Sequence, residues 1–492
     1  MSGLSSYLPL GIICLFMFIP LWLGGEASKK STETVEDFFV QNREMSTVTA
    51  FFTTWTTWWS SFAFLGSVAF FYARGPVYWI GIGWNVFFGL IYLLIGKRLW
   101  AHGKKNGCIT PIDFFDDIYR SKPLSIMATV IMVIFTLSFL HVQLFGGSIL
   151  IDFASGGLIS WRLGGLIFCT IMVIYLWEGG IRAVAWTDVF YGILTFGCML
   201  SCGFFLANKA GGVSNTFMRI AEIDSRHLLL PGPLGVDGEL LWIAMFFIIP
   251  IGAFMGPQMW IRVYAVKEEK TFNIMPFLLS ITTIAYVGSV LSGNAGIILH
   301  PGHTEMPEYI IAVLLAENGP LWFMSLILCG GAGAALSTAN SQVHSVSALV
   351  STNIYKKYIN PKAAERKVVG IGKKAVVAFC AMAYITMSNA PDMLVFSGLF
   401  ALSGTAQLIV PTAGALFWKG SNAKAAVWGL SCGLACLFLF TFLFVDTISI
   451  HPGFLGLGVN AAIFIALSLT LPTDMATRHR IQESIILSKI SI

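Results

Sequence analysis

Stretches of about twenty mostly apolar residues, each bounded by a short polar or charged segment, recur along the whole 492-residue chain. A helix needs about 20 such residues to cross the hydrocarbon core of a bilayer. Inside lipid it must also satisfy its own backbone N–H and C=O groups, which leaves helices and closed barrels as the spanning structures. Thirteen spans are expected, at about 6–24, 46–74, 78–98, 124–152, 159–177, 183–206, 240–265, 273–299, 320–353, 368–387, 391–417, 424–445 and 454–472. Composition excludes a soluble alternative: 56% of residues are hydrophobic and 11% are charged, against about 25% charged in a soluble domain.

The placement of charge tests the topology. With the N-terminus outside and alternate crossings, only Arg74, Arg162, Lys209, Arg219 and Arg226 fall outside, of 30 Lys and Arg in all. The remainder fall inside, as the positive-inside rule requires. Met1–Tyr7 carries no positive charge and no small-residue cleavage site follows the apolar run to Leu23, so the first segment reads as a retained span. The net charge of +5 is small and implies no nucleic-acid partner. Partners expected are a small-molecule substrate and the lipid bilayer, with the oligomeric state left open.

Two spans look broken. The second carries Thr53, Thr54, Trp55, Thr56, Thr57, Trp58, Trp59, Ser60 and Ser61 at its centre, and β-branched and hydroxyl residues at that density weaken a helix. The seventh carries Pro250, Gly252, Gly256 and Pro257. Interruptions at corresponding positions of two halves point to a transporter site between inverted repeats. The chain is therefore divided into an N-terminal extra span and loop (1–45), a five-helix repeat (46–206), an outer loop (207–239), a second repeat (240–418) and two accessory spans with a tail (419–492).

In the ninth span, Ala334, Ser337 and Thr338 fall at i, i+3 and i+4 and share one helix face. Two hydroxyls beside a small residue offer hard oxygen ligands, though the same spacing also serves helix packing. Asp188 is a carboxylate within an apolar span, a functional candidate by default, with Arg182 as its alternative partner in an interfacial pair.

Several motifs now fall into order. Ala334–Gln342 followed by Tyr355-Lys356, Glu178-Gly-Gly-Ile-Arg-Ala-Val-Ala-Trp-Thr-Asp188, Ser60–Gly66 with Tyr72 and Gly75, Pro257-Gln258 with Arg262, and Trp418-Lys419 together resemble the sodium:solute symporter family over about 46–420. The topology is similar to that of its bacterial proline and pantothenate branch. The resemblance implies an all-α LeuT-type fold of two inverted five-helix repeats in a bacterial inner membrane. It implies a Na⁺ site made of main-chain carbonyls of Thr56, Trp59 and Ala334 and hydroxyls of Ser337 and Thr338. It also implies a place for Asp188 on the cation exit path. The chain departs from the pattern at Trp58, where the proline branch has an aspartate, and at Asn340, where members often have Asp. The first departure leaves H⁺ as a rival to Na⁺ as the coupling ion.

For the solute, the polar and aromatic side chains of the broken spans and their neighbours are the candidates: Trp55, Trp58, Gln143, Trp260 and Gln407. A tryptophan-lined wall suits an amine, aromatic or apolar group, and helix N-termini in the breaks suit a carboxylate. An amino acid or small carboxylate is expected. Most of the nine cysteines lie in apolar runs and read as packing residues. His300, His303, Glu305 and Glu308 lie in a loop and read as solvated, so no transition metal and no organic cofactor are expected. Motifs of membrane enzymes are lacking, and a solute sensor without transport is the remaining alternative to a cation-coupled symporter.

Overall fold

The computed structural model describes residues 7–29, 31–32, 34–235, 238–302, 306–389, 394–444 and 450–490; His303 and Glu305 lie outside them. The described residues are helical, with no strand among them. Helix α1 (Leu8–Ser28) leads through a short turn of helix to α2 (Thr47–Trp58), α3 (Phe62–Ala73), α4 (Gly75–Asn106), α5 (Pro111–Tyr119), α6 (Lys122–Ala154), α7 (Trp161–Trp177) and α8 (Gly179–Lys209). Then follow α9 (Val213–Asp224), α10 (Glu239–Met255), α11 (Pro257–Ala265), α12 (Lys270–Leu299), α13 (Ile310–Asn318) and α14 (Leu321–Ile359). The chain closes with α15 (Glu365–Ser388), α16 (Ser397–Phe417), α17 (Ala423–Leu443), α18 (Pro452–Thr470) and α19 (Met475–Ile490). Among the described residues, 10 helices are long and apolar enough to cross a membrane, or 11 with α10 and α11 taken as one bent span. Two expected segments fall on helices outside that set: 46–74 on α2 and α3, and 159–177 on α7.

Both expected breaks are present. Helix α2 ends at Trp59, whose φ of −86° and ψ of 86° leave the helical region. The Ser60 hydroxyl accepts the Phe62 N–H at 3.1 Å as the chain re-enters helix. Helix α10 ends at Gly256, with φ −63° and ψ 141°, and Pro257 opens α11 at a bend of 59°. Proline suits that first helical position because its missing N–H would have had no partner there. A third break separates α7 from α8 at Gly180, with φ 51° and ψ −148°. A Cβ there would lie 2.7 Å from the Phe38 carbonyl oxygen, which explains the second glycine of the Glu178-Gly-Gly motif.

Connections far apart in sequence meet on one face. Arg43 donates to the carbonyls of Cys108 (2.9 Å) and Tyr264 (3.4 Å). Lys97 pairs with Glu269 at 2.9 Å, Lys357 pairs with Asp116, and Arg480 donates to the Ile118 carbonyl at 2.9 Å. On the opposite face Tyr72 donates to the His300 carbonyl at 3.0 Å and Tyr384 to the Arg162 carbonyl at 3.1 Å. Within the bundle α8 and α12 touch backbone to backbone, a Cβ on Gly288 falling 2.0 Å from the Met199 oxygen. Small residues at a crossing allow this approach in lipid.

Candidate functional site

The site forms where the end of α2 meets α8, α11 and the middle of α14. All the side chains that build it are buried: Thr53, Thr57, Asp188, Arg262, Ser337, Thr338 and Ser341 are each between 0% and 2% exposed.

Thr338 is the first centre. Its Oγ1 lies 3.1 Å from the Thr57 carbonyl oxygen, 3.4 Å from that of Thr56 and 3.2 Å from that of Ala334. A hydroxyl carries one proton, so it satisfies one of these three oxygens at a time. The other contacts bring oxygen against oxygen in a buried setting, an arrangement that a small cation relieves. The helix break contributes directly: past Trp58 the chain leaves the helix, so carbonyls near the end of α2 lose their partners four residues on. Of the five residues expected at the cation site, the structure brings Thr56, Ala334 and Thr338 into contact. Trp59 supplies the break itself.

Asp188 is the second centre. Ser337 Oγ donates to its Oδ1 at 2.7 Å, and Thr53 donates to its Oδ2. Arg262 Nη2 lies 3.3 Å from Oδ2. The guanidinium also donates through Nε to the Thr53 carbonyl and hydroxyl at 3.1 and 2.9 Å, through Nη1 to the Gln258 carbonyl at 3.0 Å, and to Ser341. Ser341 in turn donates to the Ser337 carbonyl at 2.7 Å and shares a hydrogen bond with Thr57 at 2.9 Å. A buried charge persists only when paired and hydrogen-bonded, and here both ions are. Asp188 is thus not an interfacial carboxylate held by Arg182. Arg182 pairs with Asp37 at 2.7 Å, because the Gly180 break turns the start of α8 toward that segment.

The solute candidates separate. Gln143 reaches the break, its Oε1 accepting the Ser61 N–H at 3.0 Å and the Ser61 hydroxyl at 2.9 Å. Trp58 stacks on Phe88 with ring centroids 4.9 Å apart. The indole N–H groups of Trp58 and Trp59 both donate to Asn85 Oδ1, at 2.6 and 3.3 Å. Trp55 stacks on Phe51 at 5.9 Å, and its buried N–H has no hydrogen-bond partner among the described residues. Trp260 instead packs against Phe114 and Phe115, away from the break. Gln407 donates to the Gly453 carbonyl at 3.2 Å, and its own carbonyl accepts from Asn460 at 2.8 Å, so it joins α16 to α18. Three residues that spacing alone did not single out take part: Asn85, Thr53 and Ser341. Asn85 carries a signal, an amide within an apolar span; the other two are hydroxyls like many around them.

A model of the sodium:solute symporter family matches residues 38–433. The chain belongs to that family. A sodium/pantothenate symporter of Haemophilus influenzae is 26% identical over 91% of this chain and 93% of its own. The osmoregulated proline transporter of Bacillus subtilis is 24% identical over 97% of each, and a sodium/proline symporter of Staphylococcus aureus is 24% identical over 86% and 83%. A solved Na⁺-coupled sialic acid symporter, outward-open and substrate-bound, superposes with a TM-score of 0.80 at 16% identity, over 95% of this chain and 98% of that one. Mhp1, a nucleobase-cation symporter, gives 0.61 at 13%, over 91% and 98%. The all-helical LeuT-type fold follows. The chain is a multi-pass membrane protein and a cation-coupled symporter of a small organic solute, not an enzyme.

Proposed function

We propose that this symporter uses Na⁺ as its coupling ion, held by the carbonyls of Thr56, Trp59 and Ala334 and the hydroxyls of Ser337 and Thr338. The observation that carries the reading is the single Thr338 proton facing the carbonyls of Thr56, Thr57 and Ala334. Asp188 stands beside the site through Ser337 and takes the ion on its way out. Its pairing with Arg262 keeps the exit neutral until the ion arrives.

The solute in this reading is an amino acid or small carboxylate, held near the break by Gln143, Trp55 and Trp58. Relatives named for proline and pantothenate support that class. The N-terminus lies outside and thirteen spans cross the membrane, with 46–206 and 240–418 as the two repeats. The gathering of Arg43, Lys97, Lys357 and Arg480 on one face supports this, since positive residues concentrate on the cytoplasmic side. Coupling to H⁺ through Asp188 is the rival, favoured by the complete burial of that carboxylate. Uptake into proteoliposomes decides: accumulation should follow an imposed Na⁺ gradient. Uptake that ignores Na⁺ and follows a pH gradient alone would overturn the sodium reading.

A further inference from the structure

A second polar cluster lies apart from the cation site, where α4 turns into α5. His102 and Asn106 sit one helical turn apart at the end of α4. Gly107, with φ +72°, ends that helix, and a capping box of Thr110 and Asp113 starts α5. The tight turn folds α5 back, so that His102, Cys108 and Asp117 converge with one ligand atom from each within 4.8 Å of the others. His102 Nε2 lies 3.3 Å from Asp117 Oδ2, and Cys108 Sγ lies 3.7 Å from the same oxygen.

The two spacings to Asp117 approach the edges of a metal tetrahedron. Zinc bonds of about 2.0 Å to nitrogen and oxygen and about 2.3 Å to sulfur give edges of roughly 3.3 Å for N–O and 3.5 Å for S–O. His102 Nε2 lies 3.0 Å from the Asn106 amide nitrogen as well as 3.3 Å from the carboxylate. An Nε2–H can donate to both neighbours once the Asn106 amide turns its oxygen toward the ring, and a metal would instead take the ring lone pair and the carboxylate together. His102 and Cys108 are buried, at 5% and 2% exposed. A polar cavity of about 210 Å³ adjoins the cluster, lined by His102, Asn106, Asp117 and Glu483 together with the cations Lys105, Arg120 and Arg480. It offers room for water as a fourth ligand. The turn is braced before any ion binds: Arg43 holds the Cys108 carbonyl, and Asn353 joins Thr110 at 2.6 Å to Asp113 at 2.8 Å. Such support from outside the ligand set gives a site its geometry.

We propose that His102, Cys108 and Asp117 bind one divalent transition-metal ion of the zinc type. The mixed imidazole, thiolate and carboxylate set selects zinc over magnesium or calcium, which prefer oxygen alone. The test uses the purified full-length protein in detergent, with Co²⁺ as a spectroscopic stand-in for Zn²⁺. Binding is expected to produce tetrahedral d–d bands and a thiolate-to-cobalt charge-transfer band, both abolished by Zn²⁺ at one equivalent. Cys108→Ser should lose the charge-transfer band. Asp117→Asn and His102→Gln, which conserve volume, should each weaken Co²⁺ binding by about 10-fold or more. They also stand in for Cys108→Ser if that variant does not fold. Absence of a thiolate band in the unmodified protein, its persistence in Cys108→Ser, or unchanged affinity in both other variants would each overturn the assignment.

Discussion

Replacing Thr338 by Val probes the proposed cation site with little change of shape. The hydroxyl oxygen becomes a methyl group that faces the carbonyls of Thr57, Thr56 and Ala334, now 3.1 to 3.4 Å from Oγ1. Two separate losses follow. In the sodium-free protein one carbonyl loses its donor, which costs about 1–3 kcal/mol of stability. In the loaded protein one of the five proposed oxygen ligands is gone. A polar group facing a full charge contributes about 1.5–3 kcal/mol, so the sodium concentration for half-maximal uptake should rise about 10- to 150-fold. Thermal unfolding with and without Na⁺ separates the two effects, because a ligand that binds only the folded state raises the midpoint. The unmodified protein should gain stability from Na⁺ and the Val variant should gain little. Thr338→Ser, which restores the oxygen, should recover the response. An unchanged sodium dependence in Thr338→Val, in a protein that still transports, would refute the assignment of this hydroxyl to the ion.

Arg262→Met removes the cation facing Asp188 and leaves a carboxylate buried without its counter-charge, so thermal stability should fall by about 3–5 kcal/mol; the double variant with Asp188→Asn should recover part of that loss, and failure to do so would break the pairing argument. Asn85→Leu withdraws the acceptor shared by Trp58 and Trp59, with an expected loss of about 1–3 kcal/mol and a change in tryptophan fluorescence as the two indoles lose their common partner. The Asp37 carboxyl is raised by burial, but the hydrogen bond from Arg182 and the N–H of Thr32 outweigh this and hold it below its ordinary value. A carboxyl lowered on folding contributes stability above its unfolded value of about 3.8, and loses it as pH falls through the folded value. Asp37→Asn should therefore be less stable than the parent at neutral pH, with the gap closing below about pH 4 in thermal melts.

The positions of helices were legible because hydrophobicity and length together leave a membrane chain few options. The breaks at Trp59 and Gly256 could be read from the residue types alone, since Thr-Trp runs and Pro-Gly pairs have local causes. Partners of charged residues could not. Arg182 is six positions from Asp188, and along one helix that proximity suggested a pair. The positive φ at Gly180 rotates the start of α8 toward the Val35–Val40 segment, while Arg262 arrives from α11, 74 residues away from Asp188. The packing partners of Gln407 and Trp260 were hidden for the same reason. Polarity or aromaticity within a span was visible, but the face it occupies depends on which helix packs there, and α18 and α5 claimed those two side chains. Cys108 passed unnoticed because its ligand-like neighbours, His102 and Asp117, are brought to it only by the turn at Gly107.

The oxygen nest around Thr338 contains no formal charge, and the nearest carboxylate is already matched by Arg262. An ion that settles there therefore carries its whole charge into the bilayer without a protein counter-ion to cancel it. Each such charge crossing the full potential gains about 2.3 kcal/mol per 100 mV, equivalent to about 50-fold in accumulation. A zwitterionic solute carried with one ion would draw on membrane voltage as well as on the concentration gradient. A monoanionic solute would instead supply the missing negative charge itself, making the same cycle electrically silent. The current that accompanies uptake thus reports the charge of the cargo, through a site that was built neutral.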